Sequence, residues 1–261
     1  MNPKKQVPEE SRHGESRVEG PEERLARDGW KRCGELLGPL AAELGITPAA
    51  ALAVLCVESG GTGFGPDGRL LIRFENHVFW DRWGSKSEAN AARFHQHFRF
   101  NSQKRWLGHM YRMSGAGQAE GTSPESAWLV GHQKQAAEWE VLEIARAMND
   151  AEALCSTSMG CAQLMGFHYL RAGYASVGKM FAKFSEAEVG EKHQVEAMFK
   201  FISGTRKRVN AGPRQTTGPM VEALRQEDYL RFAALYNGKG KAAEYAAKLV
   251  RFREAGRRIL G

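Results

Sequence analysis

The chain has 261 residues, 42% of them hydrophobic and 26% charged, with a formal net charge of +7, an ordinary composition for a globular protein with a sizeable core. Its four cysteines, Cys33, Cys56, Cys155 and Cys161, are too few and too scattered for a disulfide scaffold or a zinc finger. No run approaches the roughly 18 apolar residues of a membrane span, and the positive charge calls for an anionic partner without choosing among nucleic acid, membrane surface and bacterial envelope.

Residues 1–22 are rich in Pro, Glu, Lys, Arg and Ser. They read as a disordered charged tail with no apolar stretch for a signal peptide, so a cytoplasmic site of synthesis and one folded domain over 23–261 are expected. Leu25, Trp30, Cys33, Leu36, Leu37, Leu40 and Leu44 recur at helical spacing, interrupted by Gly34, Gly38 and Pro39, which predicts a broken helix over Glu23–Leu44. Thr47 is placed to cap, and Pro48 to open, a helix that is apolar on every face from Ala49 to Val57 and stops at Gly60 and Gly61. Its last turn carries one carboxylate, Glu58. Burial and the negative end of the helix dipole both disfavour the Glu58 anion, so its pKa is expected to rise, as a proton donor to a glycosidic oxygen requires. The alternative is a surface glutamate just beyond a core helix.

Arg69–Phe74 reads as a short strand after a glycine-rich turn, followed by the aromatic run Phe74, Phe79, Trp80 and Trp83. Over residues 93–112 basic residues (Arg93, Arg99, Lys104, Arg105, Arg112) interleave with Phe94, Phe98, Phe100, Trp106 and Tyr111. The pattern invites single-strand binding, but it fits no nucleic-acid module, and a charged face over core aromatics is the preferred reading. His77, His95, His97 and His109 lack any metal-binding spacing, so neither a metal site nor a cofactor is expected. Residues 114–122 read as a loop and Ser123–Asn149 as one long helix burying Trp128, Ala136, Trp139, Leu142, Ala145 and Met148. Ser156 onward predicts a small-residue turn leading into an amphipathic helix. A capping box at Ser185 and Glu188 predicts a helix to Ser203 stopped by Gly204, and Arg206–Gln215 reads as a basic loop. Helices over Thr217–Arg225, Glu227–Tyr236 and Lys241–Ile259 complete one mainly helical domain.

Three fragments carry a resemblance: Glu58-Ser59-Gly60-Gly61, the stretch Ser158-Met159-Gly160-Cys161-Ala162-Gln163-Leu164-Met165-Gly166, and Ala234-Leu235-Tyr236-Asn237-Gly238. Their order resembles the lysozyme-like superfamily of goose-type lysozymes and soluble lytic transglycosylases. With Pro66-Asp67-Gly68-Arg69, Phe74-Glu75-Asn76-His77-Val78-Phe79, Ala172-Gly173-Tyr174 and the helix around Met198–Ile202, the chain is similar to the bacterial and phage N-acetylmuramidases of endolysins. The resemblance implies a lysozyme-like fold of mainly α (α+β) class, with a small β-hairpin beside the active-site cleft. It implies a monomeric enzyme that cleaves peptidoglycan between N-acetylmuramic acid and N-acetylglucosamine. Glu58 takes the place of the general acid, Ser158, Gly160, Gln163 and Met165 those of residues facing it across the cleft, Tyr236 that of a tyrosine whose hydroxyl reaches toward the acid or the bound sugar, and Asn237 that of a turn residue near the same site.

Each carried-over residue has a plainer alternative. Residues 158–166 also fit a helix start built for close packing, and Tyr236 a core aromatic. Met159, Cys161, Ala162 and His168 depart from the pattern. For the second carboxylate, Glu75, Asp67 and Asp81 are candidates; Glu75 is preferred, with an ion pair to Arg73 or Arg69 as its alternative. If no carboxylate faces Glu58, attack by the muramic acid 6-hydroxyl makes the enzyme a lytic transglycosylase. A non-catalytic wall-binding protein and a membrane-perturbing protein are the alternatives of other classes. Peptidoglycan and the anionic envelope are the expected partners, not nucleic acid, and a holin or a secretion system the expected route to them.

Overall fold

The computed structural model describes residues 19–59, 62–113, 127–204 and 218–261. The expectations for most of the tail, for Gly60 and Gly61, for the loop at 114–122 and for the basic loop at 206–215 lie outside the described residues. Helix α1 (Pro21–Leu44) leads into α2 (Pro48–Ser59). The predicted break in α1 is absent: the helix is continuous, with Pro39 exposed, so the backbone bond that proline removes is lost on a solvated side. Pro21 and Glu22, assigned to the tail from the sequence, form its first turn, where a proline N–H is not needed. Helix α2 is the buried centre, with Ala49 to Cys56 all in the core, and the Thr47 hydroxyl accepts from the Ala50 N–H at 3.1 Å.

The last helix, α11 (Ala242–Leu260), lies antiparallel on α2. Gly256 sits where a Cβ would come within 3.3 Å of Ala49, and Tyr245, about three turns earlier, reaches Glu58 at the other end of α2. Gly29 of α1 also faces α2, where an added Cβ would lie 3.4 Å from Leu52 and Cys56, an ordinary contact. Two helices thus close on an apolar rod, with the glycine at 256 easing the tighter approach. Among the described residues no single helix is long and apolar enough to cross a membrane.

Two small antiparallel sheets lie on the other side of the chain. In the first, β1 (Ile72–Phe74) pairs with β5 (Thr157–Met159), which forms a hairpin with β6 (Leu164–Met165). The stretch 158–166 is therefore a hairpin; only a single 3-10 turn, Gly166–His168, follows where an amphipathic helix was predicted. The free edge of β1 is closed by side chains of α5 (Gln135–Arg146). Gln135 bonds both the N–H and the C=O of Ile72, and Glu138 accepts from the Phe74 N–H at 2.8 Å, which satisfies backbone groups that an open edge would leave bare. The second sheet is β2 (Phe98–Arg99), β3 (Met110–Tyr111) and β4 (Leu129–Val130).

The long helix read over Ser123–Asn149 is replaced, among the described residues, by β4, α5 and α6 (Asp150–Cys155). Gly131 and the positive φ of His132 separate β4 from α5. Trp128 is buried outside any helix, and Glu138 takes the place of Ala136 on the buried face of α5. Helix α3 (Asn76–Arg82) and helix α4 (Glu88–His97) pack Phe79 and Phe94 against Phe74 and Phe98, all fully buried, while Arg99 and Arg112 cover the Trp128 ring at 3.9 and 4.8 Å. The aromatics of residues 93–112 are mostly core; Trp106 alone is strongly exposed. Helices α7 (Val177–Phe184), α8 (Gly190–Ser203), α9 (Pro219–Arg225) and α10 (Tyr229–Asn237) complete the described fold. Ser185 caps the end of α7 instead of opening α8.

Replacing Gly256 by valine is expected to lower stability by about 1–3 kcal/mol through overpacking against Ala49. Gly178→Ala in α7, where nothing lies within 4 Å of the added carbon, should raise it by about 0.5–1 kcal/mol. Urea unfolding midpoints of the two variants check the pair.

Candidate active site

Glu58 ends the apolar run of α2, and burial pushes its carboxyl up to about 7, with the Tyr245 hydroxyl pulling the other way. The Tyr245 O–H donates to Glu58 Oε1, and the Asn237 side chain bonds to the same phenol. Burial and the neighbouring carboxylate raise the Tyr245 pKa, so it stays a donor throughout the neutral range. Tyr236 stacks on Tyr245 with ring centroids 6.2 Å apart and lies near Phe232 and Phe201. No cation among the described residues acts on Glu58. A carboxyl in this setting is neutral or ionised with comparable ease near pH 7, which suits a group that gives up a proton and takes it back.

The sequence pointed to Tyr236 as the tyrosine reaching the acid; the structure gives that contact to Tyr245, with Tyr236 stacked behind it. Ala242, Tyr245, Leu249, Phe252 and Gly256 recur at helical spacing in α11. A tyrosine in such a stripe needs a polar partner at its tip, the one signal that the sequence offered.

The hairpin turn at Gly160 and Cys161 comes close enough for Glu58 to act on the Cys161 thiol. The turn is fixed from behind by Gln194 of α8, which is 1% exposed. Its Oε1 accepts from the Cys161 N–H at 2.7 Å and its Nε2 donates to the Phe184 carbonyl at 2.9 Å. Added Cβ atoms at Gly63 and Gly160 would meet Gln194 at 1.9 and 2.5 Å, and Gly160 has φ +70°. Glycine at 160 therefore serves the approach of α8 and a left-handed turn.

Gln163 turns its amide inward. Its Nε2 donates to the Gly160 carbonyl at 2.9 Å and its Oε1 accepts from the Ser158 hydroxyl at 3.1 Å, so both side chains brace the hairpin. Ser158 is buried, and Met165, its cross-strand partner, is half-buried.

Glu75 follows β1 and belongs to a different constellation. Arg73 Nε donates to its Oε1 at 3.0 Å, while Oε2 faces His77 Nδ1 at 3.5 Å and His109 Nδ1 at 3.6 Å. Burial raises its pKa; Arg73 and His132 lower it, and Glu58 is not among the groups that act on it. Asp67 accepts from the Arg69 N–H at 3.1 Å and Asp81 pairs with Arg105 at 2.6 Å. His132 and Glu138, which the sequence reading did not select, join His77 and His109 in the Glu75 group, whereas His97 bonds the Arg112 carbonyl.

A family model described as Muramidase, N-acetylmuramidase, matches residues 47–255. Among solved structures, the chain in "Crystal structure of Burkholderia AP3 phage endolysin" superposes with a TM-score of 0.56 at 29% sequence identity, over 86% of this chain and 70% of that one. No curated protein matches.

Tyr245→Phe removes the hydrogen bond that, among the described residues, favours the Glu58 anion. The Glu58 titration, followed by NMR of labelled carboxyl carbons, is expected to move to higher pH, and stability above pH 8 to fall by about 1.5–3 kcal/mol, the range for a hydrogen bond to a charged group.

Proposed function

This chain belongs to the N-acetylmuramidase family, and on that premise we propose that Glu58 is the general acid that breaks the β-1,4 bond between N-acetylmuramic acid and N-acetylglucosamine. The protein is a glycoside hydrolase of peptidoglycan. The observation that carries it is the burial of Glu58 at the end of α2, with a pKa of about 7 and a tyrosine hydroxyl on one oxygen. With Oε1 held by Tyr245, the proton on Oε2 passes to the leaving sugar oxygen. The Tyr245 hydrogen bond then strengthens on the carboxylate that remains. Asn237 fixes the phenol and Tyr236 supports its ring, so both position the acid through Tyr245. Ser158, Gly160, Gln163 and Met165 shape the hairpin beside the acid, presenting backbone and the half-buried Met165 to a glycan.

Glu75 leaves the catalytic pair in this reading, because its oxygens are engaged by Arg73 and turned toward His77 and His109. That engagement supports a second reading. With no carboxylate among the described residues acting on Glu58, attack by the substrate's own 6-hydroxyl gives 1,6-anhydromuramic products, and the enzyme is then a lytic transglycosylase. Under either reading it works on the bacterial cell wall, and the net charge of +7 draws it to anionic envelope polymers.

Digestion of purified peptidoglycan followed by mass spectrometry separates these outcomes. Reducing muramic ends from wild type and none from Glu58→Gln are expected. Anhydro ends support the second reading, and fragments released equally by Glu58→Gln remove Glu58 from its role.

The raised pKa also sets a pH signature. Between about 4.5 and about 7 the unfolded chain gives up the Glu58 proton while the folded chain keeps it. The stability tied to protonated Glu58 is thus fully present below about 4.5 and is lost as pH rises through about 7. Glu58→Gln should gain stability relative to wild type across that window in thermal melts, and wild-type activity should decline as pH rises through the same upper limit.

A further inference from the structure

We infer that Glu75, His77, His109 and His132 form a binding site for a divalent transition metal of the zinc type, separate from Glu58 and structural in role. Glu75, His77 and His109 each offer one ligand atom, all within 4.8 Å of one another. Glu75 Oε2 lies 3.5 Å from His77 Nδ1 and 3.6 Å from His109 Nδ1. A tetrahedral zinc about 2.0–2.1 Å from oxygen and nitrogen ligands holds them roughly 3.3 Å apart, so these pairs need to move only a few tenths of an ångström. His132 Nε2, 2.5 Å from His109 Nδ1, lies outside that group of three and moves away to roughly 3.3 Å from His109 Nδ1 to supply the fourth ligand.

The outer contacts aim the lone pairs of His109 and His132 inward. His109 Nε2 faces the Arg105 carbonyl at 3.0 Å, which places that ring's proton on Nε2 and its lone pair on Nδ1. His132 Nδ1 faces Glu138 Oε1 at 2.7 Å, so its lone pair is on Nε2. Glu138 is itself fixed by the Phe74 N–H. Arg73 occupies Glu75 Oε1 and leaves Oε2 to the imidazoles. A carboxylate or carbonyl behind a ligating imidazole, as His109 and His132 have, is the usual support of a metal site. The close approach of His109 Nδ1 and His132 Nε2 brings two potential ligand atoms to one point. The half-buried Glu75, His77 and His132 leave an entry path.

The ligands come from the residue after β1, from α3, from the residue before β3 and from the turn after β4. The sheet they join has strands of two residues, with Leu129 and Val130 of β4 exposed, too little to hold itself by pairing and burial. A metal ties it to β1 and α5.

The test is to strip the full-length protein with a chelator, titrate it with Zn²⁺ by calorimetry, record the visible spectrum with Co²⁺, and compare melting temperatures with and without zinc. One metal per chain, tetrahedral Co²⁺ bands and a Tm raised by zinc are expected in wild type and in Glu58→Gln. His77→Gln and His132→Gln, at half-buried positions that tolerate polar replacement, should each weaken binding at least tenfold, and Glu138→Gln about 10–100-fold. No binding to wild type with an unchanged Tm would overturn the proposal and leave a hydrogen-bonded histidine cluster only. Binding unaltered in both histidine variants would overturn it by placing the zinc elsewhere.

Discussion

Everything in the arrangement around the acid depends on one constraint: a carboxyl group at the end of an apolar helix packed on both flanks. Helix α2 is buried from Ala49 to Cys56 by α1 and α11, and Gly256 of α11 admits its close approach at Ala49. The same packing that stabilises the core removes water from Glu58 and raises its pKa, so stability and acidity have a common origin. Tyr245 sits at the point where α11 crosses the end of α2 and limits that rise with one hydrogen bond. The antiparallel course of the two helices makes the contact, and a shift of one turn along α11 would carry the phenol about 5.4 Å away.

The chain reaches the acid from the other side with very little regular structure. The β5–β6 hairpin spans five residues of strand, and its turn is held by polar side chains on both sides: Gln163 and Ser158 within it, Gln194 behind it. The outer edge of β1 is closed in the same manner by Gln135 and Glu138. Glutamine and glutamate side chains here do the work that a longer sheet would do with backbone, which explains why buried polar residues gather around strands of two or three residues. The histidine cluster extends this logic to the second sheet, where Glu138 serves β1 with one oxygen and His132 with the other.

What was legible in the sequence was local. The cap at Thr47, the apolar run of α2, the carboxylate at its end and the glycine stop of α8 each follow from neighbours a few residues apart, and so do the approximate limits of α9, α10 and α11. The errors share one cause. Pro39 and two glycines predicted a break in α1 that burial of Ala26, Cys33, Leu37 and Ala41 overrides. The apolar spacing over Ser123–Asn149 imitated one helix because Trp128 is buried by Arg99 and Arg112, residues from another part of the chain.

The sequence by itself therefore determined a mainly helical chain with a buried carboxyl at the end of an apolar helix, because helix signals and burial of an apolar run act over short separations. Only the tertiary structure decided which tyrosine meets Glu58, that Gln163 faces its own turn, and that Glu75 stands among histidines rather than before the acid. The tyrosine contact joins residues 187 positions apart and the histidine cluster residues 32 apart, and no local pattern encodes a distance that is set when separate elements pack.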